Sequence, residues 1–311
     1  MRHNGRMHTP ADPTGQQIHL TRGDVTAHIA QVGAALRDLT VDGTSIVTPY
    51  PQGVQAPFGS GTVLAPWPNR IRDGRWQQTD PHGRDYDEQL ALTEPKLDNA
   101  IHGFLQHAPF VVEQGDGSAT LTATIVPQNG YPFAVVAVVV YELVDDGIRV
   151  THRFTNVGAD AAPVGVGTHG FFHIEGADPR DLVLTIPART RFVVDDRLLP
   201  LGEEEVDAEL REGARLGDVS LDTGYADLDR DASGAAVTTL DGPNGERVSV
   251  WQDEHFDYLQ VFTTDAYPGQ DYAVAIEPMS IPTDAFNSGR ALTWLEPGET
   301  CELTWGVAYS A

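Results

Sequence analysis

Nearly every apolar run in this chain repeats with a period of two. Over residues 147–155, Ile148, Val150, His152 and Phe154 share one face, while Arg149, Thr151, Arg153 and Thr155 take the other. Over residues 118–126, Leu121, Ala123 and Ile125 alternate with Thr120, Thr122 and Thr124. Successive side chains of a strand point to opposite faces, so this pattern buries one face of an antiparallel sheet and leaves the other wet. The stretch 133–141 (FAVVAVVVY) is apolar throughout and rich in β-branched residues, the pattern of a strand covered on both faces. Asp42-Gly43, Asp116-Gly117, Asp146-Gly147 and the run from Asp241 through Gly242 to Gly245 supply turns between these runs. Helical periodicity is nearly absent; residues 203–211 predict at most a turn or two.

The 31 glycines and 21 prolines are spread along the chain and suit many short strands joined by turns. The expected fold is all-β, a large antiparallel β-sandwich forming one domain over residues 16–311. Residues 1–15 read as a disordered leader, with Met7 an alternative start. The proline-dense stretch 48–68 must be irregular, because proline cannot donate to a ladder. A long irregular loop on a β scaffold is where functional residues gather.

Charge and composition remove several classes of function. The net charge of −25 comes from 45 acidic against 20 basic residues, and Lys96 is the only lysine. Without clustered cations to neutralise phosphates, nucleic acid and anionic membranes are poor partners. Scarce lysine fits a codon bias better than a special electrostatic role. The single cysteine, Cys301, rules out an intrachain disulfide and reads as a small buried hydrophobe. No apolar run approaches the ~20 residues of a membrane helix, and the basic N-terminal residues lack the apolar segment of a signal peptide. The reading is a cytoplasmic protein with a small-molecule partner, acting as monomer or homodimer.

Five segments carry residues suited to chemistry. Glu277 lies in Ala275-Ile276-Glu277-Pro278-Met279 at the end of a strand-like stretch. Partial desolvation there raises a carboxyl pKa and makes a better proton acceptor. His169 lies in Gly165-Val166-Gly167-Thr168-His169-Gly170, where the glycines admit a ligand or another chain, and an imidazole suits a general acid. Asn69 and Arg70 close the proline loop as donors beside Trp67, which offers a flat apolar surface; alone, Arg70 reads first as a surface arginine paired with an acid. His102, before Gly103, taken alone reads first as a packed core histidine and second as a cleft donor. Asp222, before Thr223-Gly224, is an acceptor for hydroxyls or an Asx-type turn residue. His152 sits on an apolar face and reads as a core histidine, and His28, His82, His107 and His255 keep the surface or core default. His169 and His173 would lie ~13 Å apart on a strand at ~3.3 Å per residue, too far to share a metal. With no metal-spaced Cys/His pairs, no phosphate loop and no dinucleotide fingerprint, no metal and no cofactor is expected.

Taken in order, these segments resemble the aldose 1-epimerase (galactose mutarotase-like) family over residues 17–309. Asn129-Gly130-Tyr131-Pro132, Asp196-Arg197-Leu198-Leu199-Pro200-Leu201-Gly202 and Leu295-Glu296-Pro297-Gly298-Glu299 add turns similar to the family's. The resemblance implies a galactose mutarotase-like supersandwich that interconverts the α and β anomers of a free aldohexose. It implies Glu277 as catalytic base and His169 as catalytic acid, reaching the hemiacetal from opposite sides. Arg70, Asn69, His102 and Asp222 would bind substrate, with His102 near the ring oxygen and sharing the acid role. Threonine stands before His169 where the family usually has asparagine, which leaves the preferred sugar open. The alternatives are a hexose-6-phosphate 1-epimerase, which needs a basic cluster where only Arg70, Arg72 and Arg75 are offered, and a non-catalytic sugar-binding protein. A glycoside hydrolase would need Asp222 or Asp284 as a second carboxylate.

Overall fold

The computed structural model describes residues 12–311. About 51% of the chain is strand and 7% helix, in antiparallel sheets. A nine-stranded sheet runs in the order Val111–Gln114, Ser118–Ile125, Val135–Val144, Gly147–Asn156, Thr300–Ser310, Arg247–Gln252, Ala236–Asp241, Val183–Thr185, Ala214–Arg215. A second large sheet runs Pro200–Glu205, Ala188–Val194, Asp222–Leu228, Tyr258–Thr264, Ala273–Met279, Gly167–Thr168, Val63–Leu64. The N-terminal strands between Gln17 and Ser45 form a four-stranded meander. One continuous cluster of buried apolar side chains extends from Ile18 to Tyr309. This is the antiparallel β-sandwich that the alternation predicts.

The alternating segments fold as their pattern dictates. Ile148, Val150, His152 and Phe154 are buried while Arg149 and Arg153 are exposed, and Leu121, Ala123 and Ile125 face inward. His152 is fully buried and its Nε2 accepts the indole N–H of Trp305 at 2.9 Å, so it is a core residue, though its Nδ1 is buried without a partner. Cys301 is partly buried in the last strand.

Three expectations need correction. In Val135–Val144 only alternate residues are buried; Val136, Val138 and Val140 are half-exposed, so the all-apolar run is covered on one face. β-branched side chains suit a pleated surface whichever face they occupy, and composition therefore overstated the burial. The longest strand buried along its whole length is Ala273–Met279. The turn or two expected over residues 203–211 is present as the one-turn helix Ala208–Glu212, which follows the strand Pro200–Glu205. Of the expected leader, residues 1–11 lie outside the described residues, while Thr14 is buried and its Oγ1 accepts from the Arg37 guanidinium at 3.3 Å. The loop 48–68 is mostly irregular, as its prolines require, but it contributes Val63–Leu64 to the edge of the second sheet.

Candidate active site

The site grows from a break in strand pairing. Gly167 pairs with Met279 and Gly170 with Ile276, so the register sets His169 level with Glu277. On the other side of the same strand Gln260 is the direct partner of Glu277. Cross-strand neighbours project from one face at close range, which puts His169, Glu277 and Gln260 in a single row across three strands. Asp222 and Phe262 lie two positions along and share that face; Gln260 Nε2 donates to Asp222 Oδ1 at 2.6 Å. Asp222 is thus a strand residue and not part of an Asx-type turn.

A second wall comes from the proline loop and its partner hairpin. Arg70–Arg72 pairs with Asn99–Ile101, placing Asn69 and His102 side by side just outside the ladder. Both are in the left-handed region, with φ of 55° and 65°, a conformation that costs of order 1–3 kcal/mol for a residue with a side chain. Reciprocal bonds hold them there: His102 N–H donates to Asn69 O at 2.9 Å, and Asn69 N–H donates to His102 Nδ1 at 3.2 Å. Because Nδ1 accepts, the ring proton of neutral His102 resides on Nε2 and is free to donate in the cleft. Gly103 follows because a Cβ there would meet the Ala65 carbonyl oxygen at 2.1 Å.

These walls enclose a cleft of about 420 Å³ lined by Phe58, Asn69, Arg70, Glu94, His102, Gln106, His107, His169, Asp222, Gln260, Phe262 and Glu277. All six site residues singled out in the sequence therefore meet in one cavity. Glu277 and His169 lie at its base, 3% and 7% exposed at their side chains, with Nε2 to Oε1 of 3.5 Å. They are neighbours on one wall and not groups facing each other across a gap, because strand register, and not loop reach, sets their separation. Burial raises the Glu277 carboxyl well above its ordinary range, with the Asp222 charge adding to it and the Arg70 guanidinium opposing. Burial lowers His169 to about 4, and His102 well below its usual value for the same reason. The raised Asp222 carboxyl also owes its shift chiefly to burial.

Arg70 is held by two parallel bonds to Glu94, Nε to Oε2 at 2.8 Å and Nη2 to Oε1 at 2.9 Å, while Nη1 donates to Asn69 Oδ1 at 3.2 Å. Glu94, Gln260, Phe58, Phe262 and His107 were not singled out in the sequence. Of these, only Gln260 carried a signal, a polar residue inside an apolar strand. Trp67 does not offer its face to the cleft; it is buried against Phe104 and Phe286, and the aromatic surface comes from Phe58 and Phe262. His173 turns away, its Nε2 3.1 Å from Ser45 Oγ. Asp284 accepts the Arg72 backbone N–H at 3.0 Å and caps local structure outside the cleft. Among the described residues no group of three His, Cys, Asp or Glu side chains is placed to hold a metal ion, and no helix is long and apolar enough to cross a membrane. A larger hollow of about 660 Å³ beside Trp251 has no buried carboxyl or imidazole in its lining.

The family model described as aldose 1-epimerase matches residues 16–307. Over 300 residues the chain is 31% identical to the uncharacterized protein YihR of Escherichia coli (strain K12), covering 94% of this chain and 93% of that one. Among solved structures it superimposes on a galactose mutarotase-like protein from Clostridium acetobutylicum with a TM-score of 0.81 and 20% identity, covering 94% and 95% of the two chains. A galactose 1-epimerase from Lactobacillus acidophilus NCFM gives a TM-score of 0.75 at 20% identity, over 94% of each chain. At these identities the structural matches establish the fold alone.

Proposed function

Since the chain belongs to the aldose 1-epimerase family, we propose that it interconverts the α and β anomers of a free aldohexose, with Glu277 and His169 as the proton-transfer pair. One observation carries this reading: a carboxyl and an imidazole lie 3.5 Å apart at the base of a sugar-sized cleft. The anomeric oxygen O1 and the ring oxygen O5 are bonded to the same carbon. An acid and a base that serve them must therefore stand close together, which neighbouring strand positions provide.

The Glu277 carboxylate takes the proton from O1 while the His169 imidazolium gives one to O5. The C1–O5 bond breaks, the aldehyde forms, rotation about C1–C2 presents its other face, and closure returns both protons. The pair holds one shared proton before and after. Burial favours that proton on the carboxyl, the arrangement in which both groups are neutral; the sugar hydroxyls supply the polar surroundings in which the charged arrangement becomes accessible. Arg70 and Asp222 orient hydroxyls, Asn69 holds Arg70, and His102 donates through Nε2 near the ring oxygen. A non-catalytic sugar-binding protein would have no use for an acid and base so paired.

Exchange NMR of anomer interconversion across a panel of aldoses, each with and without phosphate, tests the assignment. Acceleration by the wild-type protein, lost in Glu277→Gln and His169→Asn, is the expected result. Bound sugar with no acceleration would replace catalysis by simple binding.

A further inference from the structure

Arg70 is the only arginine or lysine among the described residues lining the cleft. Its charge is not available to substrate, because Glu94 takes two of its N–H groups in a fork. Glu94 is itself fixed: Asn99, which is fully buried, donates from Nδ2 to Glu94 Oε2 at 3.1 Å. The other arginines near the loop are also engaged elsewhere, Arg72 with Asp195 and Asp284, and Arg75 with Asp87. Asp222 adds a further carboxyl to the lining.

We infer that Glu94 determines the charge specificity of the cleft: by neutralising Arg70 it keeps the site for uncharged sugars and excludes sugar phosphates. This rests on the proposed epimerase reading and deepens it. A guanidinium balanced by a carboxylate still donates hydrogen bonds to neutral hydroxyls from its remaining N–H groups. It has no net attraction left for a phosphate, which must then enter a partly desolvated cavity whose other fixed charge is negative. Over separations of a few ångströms at the effective dielectric of such a site, one unit charge more or less changes transition-state binding of an anion by about tenfold or more.

The test compares Glu94→Gln with wild type on D-glucose, D-galactose and their 6-phosphates by exchange NMR. Glu113→Gln serves as control, since it removes the same charge from the exposed edge strand Val111–Gln114. The expected result is a rise of about tenfold or more in kcat/KM for the phosphates relative to the free sugars in Glu94→Gln, and no change of that ratio in the control. Glu94→Met provides the same readout should the glutamine variant lose its fold. An unchanged ratio overturns the inference, as does an equal loss on both substrate classes, which would make Glu94 a mechanical support for Arg70. A wild-type protein that prefers the phosphates overturns it too. No exchange with any aldose in the wild type would instead remove the epimerase reading, and this inference with it.

Discussion

Glu277 is costly to the fold and needed by the reaction. The residue is 2% exposed, and its carboxyl pKa is raised chiefly by burial. A raised folded-state pKa stabilises the protein only below the unfolded value, and that contribution disappears as pH rises through the folded value. Glu277→Gln should therefore lose ~10²–10⁴-fold in turnover while melting at the same or a higher temperature at neutral pH, checked by exchange NMR and calorimetry. His169 sets the acid limb of activity. Once neutral His169 takes up a second proton, the pair has no acceptor left, so kcat/KM should fall below pH about 4 and hold level from there toward neutrality. Gly103→Ala should cost about 1–3 kcal/mol, read from chemical denaturation, since it forces a side chain onto a left-handed backbone and against a carbonyl. Glu277 and His169 were legible in the sequence because a proline follows the one and glycines surround the other, although only His169 lies at a break in pairing, Glu277 being inside the strand Ala273–Met279. Glu94 was not, because its significance comes only from Arg70, which pairing within the fold brings to it.

Among elements, hairpins were the most readable, their turns and alternation being local signals. Burial of a strand on both faces was not, since it depends on what packs above and below. Val138 and Val139 separate the two situations. Val138 is half-exposed and paired between Thr122 and Arg153, while Val139 is fully buried. Replacing each by threonine should cost within about 0.5 kcal/mol at Val138 and about 1–3 kcal/mol at Val139, where a hydroxyl would be buried without a partner. Equal losses in urea titrations would mean that both faces are covered after all. The row His169–Glu277–Gln260 was invisible for a similar reason. Alternation assigns each residue to a face, but nothing local says which strands stand beside one another.

For the whole molecule, buried histidines link stability to pH. His152 is lowered to about 3 by burial, and His169 and His173 to about 4. Each folded value lies below the unfolded one, so the stability these residues confer is complete above pH 6.5 and declines as pH falls toward the folded values. A fully buried histidine contributes a slope of about 1.4 kcal/mol per pH unit in that window. His152→Gln, which keeps an acceptor for Trp305, should flatten the dependence of unfolding free energy on pH between 6 and 4 by roughly that slope. The all-β class and its size were legible from alternation and turn residues. The order of strands was not: Gly147–Asn156 adjoins Thr300–Ser310 across some 150 residues of chain, and periodicity does not encode such partners.

That placement bears on how the protein is made. Thr300–Ser310 follows the other strands of the nine-stranded sheet in sequence, yet it occupies the middle of that sheet, between Gly147–Asn156 and Arg247–Gln252. Until it is delivered, both neighbours present bare edges, and nothing joins the two halves of the sheet. Closure of this sheet therefore waits on these eleven residues, which a chain emerging from its N-terminus presents after both of their partners.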